Sequence, residues 1–402
     1  MQHETIIAPP VRETSFHLPA YSLHLDMIRG LAALVVLYGH LHLVVTGHGS
    51  DASVGQTPYI AMRATGGLAL PHAAVVVFFV LSGYLVGGSV VRDLSRGRFT
   101  WQQYSLRRLT RLWTVLIPAL VFGTLLDTMT KLFFFSTNFF KTCIFTNQLH
   151  GLPTALNFLR YLFFMQTVER FPAPRFGTNG ALWSLSSEFW YYVLFPFVAI
   201  PLLSRRTRMP TRIASAALVA ILLWFVGARI GLAFPIWLLG ASVYVVPIKI
   251  PARHQVMANL LFVIQFLAVL FVLRVRPTIP IVADGLVGIS FALLLYGLLH
   301  RVGPTKRSLY SRLAHGISFP SYTLYACHVP MVVLLTALFE ARFPNLFSHS
   351  VLASILILIL VVIYIATLYF CFERNTDRIR KFIENQLVSR KVVTGQPAVM
   401  VE

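Results

Sequence analysis

Ten stretches of this chain are apolar for about the length a helix needs to cross a bilayer. Nothing else in the sequence limits its fold as strongly. A spanning helix needs about 20 mostly apolar residues at 1.5 Å rise each. The stretches are 25–45, 72–91, one from about Leu109 to Leu126, 181–201, 213–228, 231–247, 256–273, 280–299, 317–338 and 351–371. Ala228, Arg229 and Ile230 are the only break between the fifth and sixth, which could be one bent element. Charged residues make up only 12% of the 402, about half the usual share in soluble domains. Lipid removes the need for a charged surface, so the expected fold class is an all-α integral membrane bundle of about ten helices.

The charge distribution gives a second test. Net charge is +20, from 34 Lys plus Arg against 14 Asp plus Glu. The basic residues sit in short clusters between apolar runs, which is membrane topology information and argues against a nucleic-acid partner. With both termini cytoplasmic, the inner loops carry 22 basic residues and the outer ones ten. The chain then divides into an N-terminal tail (1–23), a transmembrane domain (24–372) and a basic cytoplasmic C-terminal tail (373–402). The start of the chain lacks the basic-then-apolar pattern of a cleavable signal. The longest stretch between spans, 127–180, mixes aromatic runs with polar residues and reads either as a lid over the bundle or as an interfacial anchor. Within it, 156–168 is too short to cross and reads as interfacial or re-entrant.

Ionisable groups inside spans are expensive and usually face a cavity or a partner. The first span holds Asp26, Arg29, His40 and His42. Arg29 and His40 fall nearly on one helix face, about 16 Å apart along the axis. Asp26 is placed for an ion pair with Arg29, while His42 points to a wall or interface. His40 reads as a general base or as a hydrogen-bonded structural histidine. In the fourth span, Ser184, Glu188 and Tyr192 share a face, and Glu188 could orient a histidine, hold a substrate hydroxyl or serve as packing glue. Arg108 and Arg111, one turn apart at the inner mouth of the third span beside Arg107, can grip one anion, although positive-inside bias alone would also put them there. Tyr322, Tyr325 and His328 form a polar stripe on the ninth span that reads as cavity lining. Ser82-Gly83-Tyr84 in the second span reads as close helix packing, and Glu373 could meet a basic cluster. Cys143, Cys327 and Cys371 have no metal-ligand spacing, and no nucleotide-binding or metal motif appears.

Several segments, in order, resemble the acyltransferase-3 family of bacterial inner-membrane proteins. LDMIRGLAALVVLYGH (25–40) is similar to its first-span signature, with Arg29 and His40 at the basic and histidine places. FFVLSGYLVGG (78–88), YSLRRLTRLW (104–113), ALWSLSSEFWYYVLFP (181–196), SYTLYACHVP (321–330) and FERNTD (372–377) resemble its later motifs. The resemblance implies an O-acyltransferase with a cytoplasmic acyl-CoA donor, most often acetyl-CoA, and no metal. It implies a glycan or glycolipid acceptor on the periplasmic side. Arg29, Arg108 and Arg111 would then bind the donor. His40 would be the base, with Glu188 in the catalytic centre, and Ser184, Tyr192, Tyr325 and His328 would line the substrate path. The alternative is a transporter or flippase of a lipid-linked glycan, which would suit broken spans and buried charges.

Overall fold

The computed structural model describes residues 20–46, 69–146, 149, 154–171, 173–203, 207–246, 250–276, 278–299, 309–344 and 350–393. Most of the expected N-terminal tail lies outside them, as do the end of the C-terminal tail and Arg12, Arg63, Arg205, Arg206, Lys249, Arg301, Lys306 and Arg307 from the charge count.

Among the described residues ten helical segments are long and apolar enough to cross a membrane. The helices are α1 (Ala20–Thr46), α2 (Ala69–Ser82), α3 (Gly88–Ser95), α4 (Trp101–Phe134), α5 (Asn138–Thr142), α6 (Ala155–Leu162), α7 (Trp183–Leu203) and α8 (Met209–Val226). After them come α9 (Ala228–Val245), α10 (Gln255–Val275), α11 (Pro280–Leu298), α12 (Leu309–Ser318), α13 (Ser321–Arg342), α14 (Ser350–Cys371) and α15 (Thr376–Val393). A π-helical turn, Gly83–Gly87, joins α2 to α3 within one span.

The core is α13 packed between α4 and α1, with α1 also against α2. Outside it lie helices that only lipid can cover. No residue of α10 is buried, and α8 buries only Val226, yet both are strongly apolar. Leu260, Ile264, Leu267 and Phe271 of α10 are all exposed. Such a surface in water would be an aggregation patch, whereas in a bilayer it is the solvated face.

The third helix is longer at both ends than the sequence reading gave it. The third helix begins at Trp101, not near Leu109, so Arg107, Arg108 and Arg111 stand within the helix and not before it. Their long stems pack along apolar surface while the heads stay polar, so hydropathy alone places the start too late. The same helix runs to Phe134, so the connecting stretch starts eight residues later than expected. The fifth and sixth spans are separate helices, as counted from the sequence, and the chain turns at Gly227, where φ is +86°. Residues 155–162 do form a short helix that cannot span.

One crossing positions the site. A Cβ at Gly83 would stand 1.9 Å from the Trp237 carbonyl oxygen, and one at Gly240 would stand 1.9 Å from that of Val80. Glycine at both positions lets α9 and the π turn meet backbone to backbone, as expected of small residues between spanning helices.

Candidate active site

Two cavities lie inside the bundle and share a wall of Val75, Phe79 and Tyr325. The first, about 110 Å³, is lined by every cation that the sequence singled out for donor binding: Arg29, Arg108 and Arg111. The second, about 650 Å³, is lined by His40.

In the first cavity Arg29 pairs with Asp26 at 3.0 Å. Arg108 and Arg111 have no carboxylate within ion-pair distance among the described residues. The Arg108 guanidinium lies 5.9 Å from the ring centres of Tyr104 and Tyr192, and that of Arg111 lies 5.9 Å from Tyr322. The Nε atoms of Arg29 and Arg108 are buried without a hydrogen-bond partner, as is the Tyr322 hydroxyl. A buried donor left unpaired costs about 1–3 kcal/mol, which a bound anion would offset. The cluster therefore suits phosphate or carboxylate oxygens.

Glu188 lines the same cavity and not the one that holds His40. Tyr192 donates to its carboxylate, and Ser82 Oγ donates at 2.8 Å. Trp237 Nε1 in turn donates to Ser82 Oγ at 3.2 Å. Ser82, read from sequence as packing, is thus also the link that ties Glu188 to α9. The signal was available, since a serine next to a glycine in a span can serve both purposes. Ser184 Oγ donates to the Tyr325 hydroxyl at 2.6 Å, which fixes the side chain dividing the two cavities. Glu373 does face the basic cluster, near enough to Arg111 and Arg29 to feel their charges, although among the described residues no cation lies within 4.0 Å of it. Its carboxylate accepts from the Thr323 amide at 3.0 Å and from the Thr323 hydroxyl, closing the first turn of α13.

In the second cavity the partner of His40 is His328. His328 Nε2 lies 3.0 Å from His40 Nδ1, with ring centres 4.9 Å apart. The backbone assigns the tautomers. His328 Nδ1 lies 2.8 Å from the Leu324 carbonyl and 3.1 Å from that of Tyr325, so it carries the proton. His328 Nε2 is then an acceptor, and His40 Nδ1 donates to it while also facing the Val36 carbonyl at 3.0 Å. His40 Nε2 is left with its lone pair, the form a general base needs. His328 is fully buried behind His40 and lines neither cavity. His42 stacks on Tyr38, itself 66% exposed, and points away from the site.

The segment after α4 forms much of the wall of this second cavity through Phe145, Tyr161, Gln166, Thr167, Arg175 and Thr178. It is anchored by a residue the sequence reading passed over. Asp127 is buried in α4 and accepts from the Thr178 amide at 2.9 Å and the Thr178 hydroxyl at 2.6 Å. Gly177, with φ +55°, makes that approach possible, because a Cβ there would fall 1.8 Å from Asp127 Oδ2. An aspartate inside an apolar helix was the available signal. Tyr161 accepts from the Phe176 amide at 2.9 Å, and burial pushes its hydroxyl up to about 12, so it stays neutral. Farther along, the Glu169 carboxylate accepts from the Arg229 amide at 2.9 Å and is held below the ordinary carboxylate range by amides at the start of α9.

The profile of one known family, described as an acyltransferase domain, matches residues 23–372. An O-acetyl transferase of Shigella phage Sf6 is 26% identical over 177 residues, 42% of this chain and 43% of that protein. An uncharacterized protein of Haemophilus influenzae (strain Rd) is 26% identical over 126 residues, 31% of this chain and 47% of that protein. The chain thus spans less than half the length of either relative. No solved structure matches.

Proposed function

This chain belongs to the acyltransferase-3 family, and on that premise we propose that it transfers an acyl group, acetyl in the first instance, from cytoplasmic acyl-CoA to a hydroxyl of a glycan or glycolipid across the bacterial inner membrane. The observation that carries the reading is the pair of cavities meeting at Tyr325. One has unpaired arginines, and the other has a histidine whose free nitrogen is Nε2.

In this mechanism Arg108 and Arg111, with Arg29 beside them, hold the donor phosphates by charge-assisted hydrogen bonds. The donor phosphates stay at the arginines that line this slot, and the thioester arm runs on from them toward Tyr325. The acyl carbonyl reaches the partition at Tyr325, and the acceptor occupies the outer cavity. His40 Nε2 removes the proton as the acceptor oxygen attacks the carbonyl carbon. The C–O bond forms, the C–S bond breaks, and the proton returns to the thiolate of CoA. Holding both reactants at one partition makes the step effectively unimolecular. Glu188, hydrogen-bonded to Ser82 and Tyr192, shapes the donor slot and keeps Tyr192 against Arg108.

The test is purified protein in nanodiscs with labelled acetyl-CoA and a mixture of envelope glycans. Wild type should release CoA and leave a labelled ester on a glycan, and His40→Ala should fold but lose about 10²–10⁴-fold in rate. Unchanged ester formation by His40→Ala would remove the proposed base.

A further inference from the structure

The outer cavity is lined by two cations that form no ion pair among the described residues. Arg175 and Arg229 both line it and lie close enough to repel one another. Arg229 also rests over the Trp183 ring, 5.4 Å from its centre. A carboxylate bonded to the backbone fixes the segment that carries each arginine. Asp127 accepts from the Thr178 amide and hydroxyl, which fixes the turn carrying Arg175. Glu169 accepts from the amide of Arg229 itself, which fixes the start of α9. The only carboxylate lining the cavity is Asp284, and it sits 2.8 Å from His72 Nε2. Among the described residues neither guanidinium has a carboxylate within 4.0 Å. Two pinned backbones therefore present two guanidiniums, neither held in an ion pair among the described residues, to the chamber that His40 serves.

Building on the proposed acyl transfer, we infer that the acceptor is anionic, with a carboxylate or phosphate on the glycan or its lipid carrier seated between Arg175 and Arg229. A guanidinium matches either group with paired, directional hydrogen bonds. Engaging that anion would orient the rest of the glycan toward His40. A neutral glycan would offer the two guanidiniums no such partner, so the cavity selects by charge as well as by shape.

The test is direct binding, so it does not depend on turnover. Three ligands are titrated into the full chain in nanodiscs of zwitterionic lipid. They are a neutral tetrasaccharide, the same tetrasaccharide with one hexuronate, and the neutral one carrying a diphosphate monomethyl ester at its reducing end. At least one anionic ligand should bind roughly 10–100-fold more tightly than the neutral one, the effect expected for a charge-assisted pair. Whichever of the two binds more tightly identifies the source of the anion. The preference should disappear in the R175Q/R229Q double variant, and in wild type it should shrink between 0.05 and 0.5 M salt, as screening requires. Equal binding of all three ligands, or a preference that survives in the double variant, overturns the inference. Labelled CoA release is followed in parallel. Its absence with wild type would defeat the acyl-transfer reading while leaving the binding result to stand or fall alone.

Discussion

Replacing His328 by leucine separates orientation of the base from the base itself. Leucine is close to histidine in volume, and His328 touches neither cavity, so the change removes an acceptor without opening the site. His40 Nδ1–H loses its 3.0 Å contact to His328 and keeps only the Val36 carbonyl at 3.0 Å. One buried hydrogen bond is worth about 0.5–1.5 kcal/mol net, so the reactive tautomer and rotamer should lose roughly 2–10-fold in population. That loss should fall on kcat, with KM for donor and acceptor unchanged, because no substrate contact is removed. His328→Gln offers an amide oxygen near the lost nitrogen and should recover most of the rate. The assay is steady-state CoA release in nanodiscs over a range of both substrates. A loss as large as the 10²–10⁴-fold expected for His40→Ala would make His328 a reacting group. No change, or a change confined to KM, would show that the histidine pair does not set the base.

Other consequences can be measured on the same preparation. Arg108→Gln and Arg111→Gln should each raise KM for acyl-CoA by about 10–100-fold with a smaller effect on kcat, since each removes charge-assisted donor contacts. A selective loss of kcat would place them at the reacting centre instead. Asp127→Ala leaves the buried Thr178 amide without its acceptor and should cost about 1–3 kcal/mol, lowering the thermal midpoint by several degrees, with Asp127→Asn retaining part of the stability. Gly83→Val drives a Cβ into the Trp237 carbonyl and should cost at least about 1–3 kcal/mol. It should also loosen the Ser82 contact to Glu188, read as lower recovery of folded protein by size-exclusion chromatography.

The spans were legible because hydropathy is a one-dimensional signal, and lipid reads it in the same way. Boundaries failed where polar side chains sit inside a helix, as at Arg107–Arg111, since a long basic stem can enter a span that an average over residues excludes. Arg29, Arg108 and Arg111 could be grouped from sequence because each stands at the end of a span expected on one side. The partner of His40 could not. His328 lies 288 positions away, and only the packing of α13 on α1 brings the rings together. Glu188 was equally ambiguous, because a carboxylate's partner depends on which neighbouring helix crosses it, and here the glycine crossing at Gly83 and Gly240 brings Trp237 to Ser82. Asp127 was hidden by the misplaced end of the third span. It was assigned to a loop, where an aspartate is unremarkable.

The central claim is a single passage from the inner arginines to His40, and sealed proteoliposomes test it most directly. With the protein in one orientation, labelled acetyl-CoA is supplied only on the Arg108 side and the acceptor only on the His40 side. Label should appear as an ester on the acceptor, without acetyl-CoA itself crossing. Ester formation only when both substrates share a compartment would contradict the account.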